Sequence, residues 1–294
     1  MVAADFLNSR HGFGLWLMSP PKALLDQFVA SAESPGNSSL SRPDVVLVDF
    51  DIDGKTTRQE RAKALLGHDT TISKDDSDLL DYALAKAVAP VLVRLGRYHE
   101  GHTEELIRRF LDQGVAGFLL SMVEHESEID RARLALDSGV PLGAMIETPQ
   151  AISRIGHFRS SGLDFAFIGL VDLAIQRGSP SIFTPLIDGT MTEMSEALRG
   201  IPFGFGAATT VGSGAPVPNR MLLAEMLRHG ASYTLLRSAF YRDVAQGEPG
   251  PALAELRALL TDLSHRSTEE QERDFHSLRE RLTDILGDQM PPSA

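Results

Sequence analysis

The sequence predicts an α/β fold of the (β/α)8 barrel type, and three observations predict it. Eight short runs with strand character recur along the chain, separated by helix-like stretches. These runs are apolar almost throughout instead of strictly alternating, which suits parallel strands covered by helices on their outer face. Gly114, Gly139, Gly162, Gly200 and Gly230 stand just ahead of following strands, where a helix ends in the left-handed conformation that glycine adopts without a Cβ penalty. Successive βα units with right-handed crossovers either close into a barrel or spread into a wide open sheet. The length of 294 residues suits a barrel of about 250 residues plus an extension.

In order, the strands are Gly14–Met18 (GLWLM), Val45–Asp49 (VVLVD), Val91–Leu95 (VLVRL), Gly117–Ser121 (GFLLS), Leu142–Ile146 (LGAMI), Phe165–Gly169 (FAFIG), Pro202–Gly206 (PFGFG) and Tyr233–Leu236 (YTLL). Helical spacing marks Thr103–Gln113, with Leu106, Ile107 and Phe110 on one face, and also His125–Leu136, Pro149–Arg159 and Pro218–His229. Asp51–Ser77 is polar and charge-rich, and reads as a long loop over the barrel mouth. The barrel is expected over residues 1–249 and a helical extension over 250–294. The extension reads as two helices, Leu253–Leu263 and Thr268–Leu286, the second opened by a capping box of Ser267 and Glu270. Phe275, Leu278, Leu282, Ile285 and Leu286 form an apolar stripe on that second helix. Such a stripe packs on its own domain or on a neighbouring subunit; the expectation is a subunit interface in a homo-oligomer, trimer or hexamer.

A composition of 43% hydrophobic and 23% charged residues is ordinary for a globular protein. With no cysteine, disulfides, thiolate zinc sites and cysteine nucleophiles are excluded. A net charge of −12 argues against nucleic acid or an anionic membrane as the main partner, since both need a basic surface. The N-terminus MVAADFLNSR lacks a charged region followed by an apolar run, and no apolar stretch approaches the roughly 20 residues that span a bilayer. The cytoplasm is the expected location.

In barrels of this type chemistry sits on the loops that follow the strands, and here nearly every strand runs into a polar residue. The second strand leads to Asp49, Asp51 and Asp53, the third contains Arg94, the fourth leads to Glu124, the fifth to Glu147, the sixth to Asp172, and the eighth to Arg237 and Ser238. Glu147 and Asp172 lie 25 residues apart, about one βα unit, so adjacent strands bring them together. Two carboxylates with further positions left to water and substrate oxygens are typical of Mg²⁺ or Mn²⁺ sites; alternatively, each caps the helix after it. Arg94 lies inside an apolar run, where a lone charge needs a partner. It either neutralises an aspartate of the second strand or stabilises an oxyanion. Trp16 in the first strand is a candidate substrate contact. His68, His99 and His102 fall in loops and read as solvated, and His125 as exposed on the first turn of a helix. Val211–Pro216 lacks the lysine and the strand-to-helix setting of a phosphate loop.

AMIETPQAI followed by DFAFIGLVDLA resembles the signature of the HpcH/HpaI aldolase and citrate lyase β-subunit family, within the phosphoenolpyruvate/pyruvate barrel superfamily. The similarity extends from GLWLMSP through VVLVDFDIDGK and APVLVRL to PFGFG and LLRSAF, covering roughly residues 12–242; the IETP and IGxxDL pair is its specific part. The resemblance implies Glu147 and Asp172 as ligands of Mg²⁺, Mn²⁺ or another divalent cation, and Arg94 as the residue that polarises a keto oxygen or stabilises an enolate. It further implies that the backbone of Gly169, Leu170 and Val171 holds a substrate carboxylate. The implied activity is metal-dependent aldol or C–C cleavage of a 2-oxo acid, with an aldehyde as the second partner. Aldolases of the family carry a histidine after the second strand; Ile52 stands there, which leaves Asp51, Asp53, His68 or a metal-bound water as the base, with Asp49 a further catalytic candidate. The five lysines do not end a strand, so no Schiff base is expected. The alternatives are a citryl- or malyl-thioester lyase, and a barrel that keeps the metal site without turnover as a binding or assembly protein.

Overall fold

The computed structural model describes residues 11–32, 39–51, 55–66, 76–245 and 247–287. Its strands are β1 (Gly14–Met18), β2 (Val45–Asp49), β3 (Val91–Leu95), β4 (Gly117–Leu120), β5 (Leu142–Ile146), β6 (Phe165–Ile168), β7 (Phe203–Ala208) and β8 (Tyr233–Leu236). They pair in parallel in sequence order, and β1 also pairs with β8, so the sheet closes into a barrel. Around it run α1 (Lys22–Ala32), α2 (Lys55–Leu66), α3 (Ser77–Lys86), α4 (His102–Asp112), α5 (Glu126–Arg133), α6 (Pro149–Ser153), α7 (Ile155–Phe158), α8 (Leu170–Arg177), α9 (Thr190–Ala197), α10 (Asn219–Arg228), α11 (Ser238–Asp243), α12 (Pro249–Ser264) and α13 (Thr268–Leu286). Among the described residues no helix is long and apolar enough to cross a membrane.

Two apolar layers follow from the two-residue period of the strands. One face of each strand packs outward on the helices, as with Leu15, Val46, Val93, Ile146 and Ile168. The other face fills the barrel interior with Trp16, Met18, Val45, Leu47, Leu92, Leu119, Met145, Phe165, Phe167, Tyr233 and Leu235. Trp16 stacks on Tyr233 with ring centroids 3.9 Å apart and meets Phe165 edge-on at 5.5 Å. These rings fit because Gly143 has no side chain: a Cβ there would stand 2.3 Å from the Phe165 ring. Extending the inward face by one step brings Asp49, Arg94, Ser121 and Glu147 to the C-terminal end of the barrel.

Three expectations are corrected. Segment 51–77 contains a helix, α2, which packs against α8 instead of forming a bare loop. Its sequence KTTRQERAKALL has few apolar positions, and that concealed it. The helix expected over 149–159 is broken at Arg154 (φ −112°, ψ 4°) into α6 and α7, and the Arg154 guanidinium turns to Glu126 at 2.7 Å. Third, the stripe of α13 is largely buried within its own chain. Leu278 and Leu282 are 0% exposed, the helix packs on α10, and Arg228 covers Phe275 at 4.3 Å. Only Ile285 stays largely open. The stripe therefore needs no second subunit. The extension is tied down further by Arg257 of α12, buried beneath the barrel, which donates to the carbonyls of Phe13, Leu40 and Arg42 and to Asp44.

Candidate functional site

At the C-terminal end of the strands lies a cavity of about 650 Å³, lined on one side by Arg58, Arg94, Glu147, Asp172 and Arg237. Its other side is apolar and includes Leu170, Ile182, Pro216, Val217 and Leu222, together with Ile285 and Leu286 from the end of α13. Arg281 on that helix donates to the carbonyl of Pro216 at 2.6 Å, fastening the extension to the loop after β7.

Glu147 leaves β5 fully buried. It does not cap the following helix, because Thr148 does: its Oγ1 accepts the N–H of Ala151 at 3.0 Å, with Pro149 filling the first turn. Instead Glu147 Oε1 accepts the N–H of Met122 at 2.8 Å. Met122 holds φ 55°, the left-handed region that favours glycine, a strain that persists where the surrounding structure enforces it. Glu147 Oε2 is buried, and among the described residues no donor reaches it. Burial first, then the charge of Asp172, push the Glu147 carboxyl up to about 8, against the opposing pull of Arg94, Met122 N–H and Arg58. A donorless buried oxygen beside a second carboxylate suits a hard divalent cation, which relieves both the desolvation and the repulsion. Among the described residues no three His, Cys, Asp or Glu side chains form a complete cage, so such an ion would keep positions open.

Asp172 sits in the first turn of α8. Gly169 ahead of it supplies no carboxylate-binding N–H, a correction to the expectation, because that N–H donates to the carbonyl of Ile146 at 3.1 Å. Its contribution is space beside Glu147. The amides of Leu170 and Val171, at the start of α8, have no intrahelical acceptor and remain suited to an anion; both residues line the cavity.

Arg94 is held by Asp49 through two parallel bonds, Nε to Oδ1 at 2.8 Å and Nη2 to Oδ2 at 2.7 Å. Burial opposes its charge, but Asp49 outweighs that and holds the guanidinium above its ordinary pKa. Nη1 is left facing Met145 Sδ at 3.3 Å. Asp49, with both oxygens engaged, is a positioning residue for Arg94, not a base. Asp51 Oδ2 accepts from Arg58 Nη2 at 2.6 Å and lies 3.6 Å from Arg94 Nη2. Between two guanidiniums and outside the cavity wall, Asp51 is an ion-pair partner, and its expected catalytic place is not supported. Trp16 is corrected as well: at 1% exposure it belongs to the barrel core, and Met18, two residues on, lines the cavity. Asp53 and His68 lie outside the described residues. Glu124 pairs with Arg97 at 2.8 Å, and His125 caps α5 by accepting the Ser127 N–H.

Two site residues were given no role by the sequence reading. Arg58 of α2 bridges Asp51 and, at 3.4 Å, Asp172; its setting in a polar segment gave no sign of this. Arg237 follows β8 directly, a position visible in the sequence, but nothing there marked it as different from a paired arginine.

No family model matches the sequence, and no curated protein matches it. By structure, the chain is similar to the citrate lyase beta subunit of M. tuberculosis complexed with oxaloacetate and magnesium, with TM-score 0.55 and 11% identity over 86% of this chain and 98% of that one. It is similar to an HpcH/HpaI aldolase/citrate lyase family protein from Burkholderia cenocepacia J2315, with TM-score 0.54 and 14% identity over 86% and 98% of the two chains. The same holds for the protein CitE of M. tuberculosis in complex with magnesium and pyruvate, at 0.55 and 10% over 90% and 98%. The chain thus has the (β/α)8 barrel fold of these proteins.

Proposed function

We propose that the protein is a divalent-metal-dependent carbon–carbon lyase or aldolase of the HpcH/HpaI aldolase and citrate lyase β-subunit family, acting on a 2-oxo acid through an enolate. The observation that carries this reading is Glu147 Oε2, a buried oxygen without a donor, set beside Asp172 in a cavity that also holds Arg94. Fold neighbours crystallised with magnesium and with oxaloacetate or pyruvate support it.

Glu147 and Asp172 would hold Mg²⁺ or Mn²⁺, whose preference is for oxygen ligands of this kind. A bound divalent cation supplies Lewis-acid stabilisation of charge developing on a substrate oxygen. Arg94 presents Nη1 as a fixed donor to a keto oxygen, since Asp49 locks the plane of its guanidinium. The open amides of Leu170 and Val171 would donate to the neighbouring carboxylate at a helix start. The apolar side of the cavity limits water around the reacting end. Among the described residues no lysine lines the cavity, which accords with an enolate path without a Schiff base.

The test is exchange of the methyl protons of pyruvate into deuterated water, followed by NMR with Mn²⁺ or Mg²⁺ present. The protein should accelerate exchange above the metal alone, and Glu147→Gln or Asp172→Asn should remove both the acceleration and the metal affinity. Wild-type exchange no faster than the metal-only background would overturn the reading.

A further inference from the structure

The charged side chains that line the cavity form one cluster. Arg58 meets Asp51 and Asp172 and feels the charge of Glu147, and Arg237 feels the charges of Arg94, Asp49 and Asp172. Every other described residue of the lining is uncharged. The apolar part is built from Leu170 of α8, Ile182 beyond that helix, Val217 in the loop after β7, Leu222 of α10, and Ile285 and Leu286 of α13. Leu170 stands two residues before Asp172, so this wall begins beside the carboxylates.

The polar groups of the apolar side are engaged by their own neighbours. Asn219 accepts the Thr209 N–H with Oδ1 and donates to the Thr209 carbonyl with Nδ2, both at 3.0 Å. Ser181 Oγ accepts the Phe183 N–H at 3.2 Å, and the Pro216 carbonyl accepts from Arg281 at 2.6 Å. A ligand on this side therefore meets hydrocarbon, and a hydroxyl or charge carried there gives up its water without gaining a partner. Ile285 is a second observation. It is 46% exposed, and of the large apolar side chains left so open among the described residues, Leu40, Leu134 and Ile285, it alone lines the cavity. The Arg281 bond, about one helical turn earlier, fixes where it stands. Pyruvate held at Glu147 and Asp172 leaves most of the cavity of about 650 Å³ unfilled, a volume in the range of pockets that bury far larger ligands.

Resting on the 2-oxo acid reading of the Glu147–Asp172 end, we infer that the second partner is an aldehyde with an uncharged hydrocarbon body, which lies along Leu170, Val217, Leu222 and Ile285. In the addition the C3–H bond of the oxo acid breaks and a bond forms between C3 and the aldehyde carbon. The carbonyl pair moves to the aldehyde oxygen, which ends with the proton; cleavage is the reverse, and no oxidant or further reactant enters. Ile285 is a specificity residue, because its exposed surface is covered only by a body long enough to reach it.

The experiment follows addition of pyruvate to propanal, butanal and hexanal by chromatography of the products, with the full chain and Mg²⁺. The kcat/KM should rise roughly three- to fourfold for each methylene, the effect of burying one CH₂ group. Butanal should exceed 4-oxobutanoate, which has the same four carbons and a terminal carboxylate, by on the order of tenfold or more. Ile285→Ser should lower the hexanal-to-propanal ratio severalfold, and Ile285→Val should keep most of it. The ratio is read within each protein, so a general loss of activity cancels. No rise with chain length, a preference for 4-oxobutanoate, or an unchanged ratio in Ile285→Ser overturns the proposal. So does pyruvate proton exchange without addition to any of these aldehydes. Saturation-transfer NMR with 1-hexanol, without metal or oxo acid, separates the two readings. Hexanol binding that Ile285→Ser weakens supports the apolar subsite even where pyruvate neither exchanges nor adds, and then the oxo-acid reading is what fails. Hexanol binding that is absent, or indifferent to Ile285, overturns the subsite itself.

Discussion

Gly169 lies against Glu147 so closely that a Cβ at position 169 would stand 2.3 Å from Glu147 Oε2 and 2.7 Å from its Cβ. The glycine is not there for conformational freedom, because its φ of −85° is open to any residue. It is there because the carboxylate occupies the space. Gly169→Ala should therefore displace Glu147 at a cost of about 1–3 kcal/mol from overpacking and weaken Mn²⁺ binding by an order of magnitude or more. Calorimetry on the folded variant reads this directly, and a wild-type affinity for Mn²⁺ would remove Glu147 from the ligand set.

The carboxyl of Glu147 also makes metal-free stability depend on pH. Its pKa in the folded protein is raised to about 8 from an ordinary 4.5, so between those values the folded state holds a proton that the unfolded chain has released. Stability must fall as pH rises through this window, by on the order of a few kcal/mol in total. Glu147→Gln should flatten that slope in urea melts recorded from about pH 5 to about pH 8. Mn²⁺ should reverse the trend, since it binds the deprotonated form and competes with the proton. A wild-type slope identical to that of Glu147→Gln would show that another group titrates.

The site was legible where the strand period continues past the sheet. Asp49, Arg94 and Glu147 are the next inward positions after Leu47, Leu92 and Met145, so their convergence followed from alternation and strand order alone. Depth within the barrel was not legible. Trp16 shares its face with Met18, and only the register of β1 on β2 and β8 puts one in the core and the other at the mouth. The place of Arg58 in the site stayed hidden because α2 has few apolar positions to announce a helix, and Arg237, although seen at a strand end, gave no role because a missing partner is a property of three-dimensional packing. Nor does an apolar stripe state which surface buries it, and α13 turned out to lie on α10 of its own chain.

That packing predicts how α13 responds to mutation. Leu282 is 0% exposed, and truncating a fully buried leucine costs about 2–5 kcal/mol. Leu282→Ala should thus lower stability by that amount at low and high protein concentration alike, because the contact lies within one chain. A destabilisation that disappears on dilution would instead place the helix across a subunit boundary.

The pair of Arg94 and Asp49 allows support and chemistry to be separated. Both side chains are almost fully buried and joined by two bonds of 2.7 and 2.8 Å. Removing one partner of a buried pair leaves the other charge uncompensated, at a cost of about 3–5 kcal/mol, whereas replacing both by apolar groups is often neutral. Asp49→Leu should therefore be strongly destabilising, and Asp49→Leu combined with Arg94→Met should recover much of the loss in a double-mutant cycle. Activity should not follow stability. If Arg94 donates to the developing oxyanion, its loss lowers pyruvate proton exchange by on the order of 10² or more, and the stable double variant should remain as slow as Arg94→Met alone. Exchange that recovers together with stability would show that Arg94 serves the fold and not the reaction.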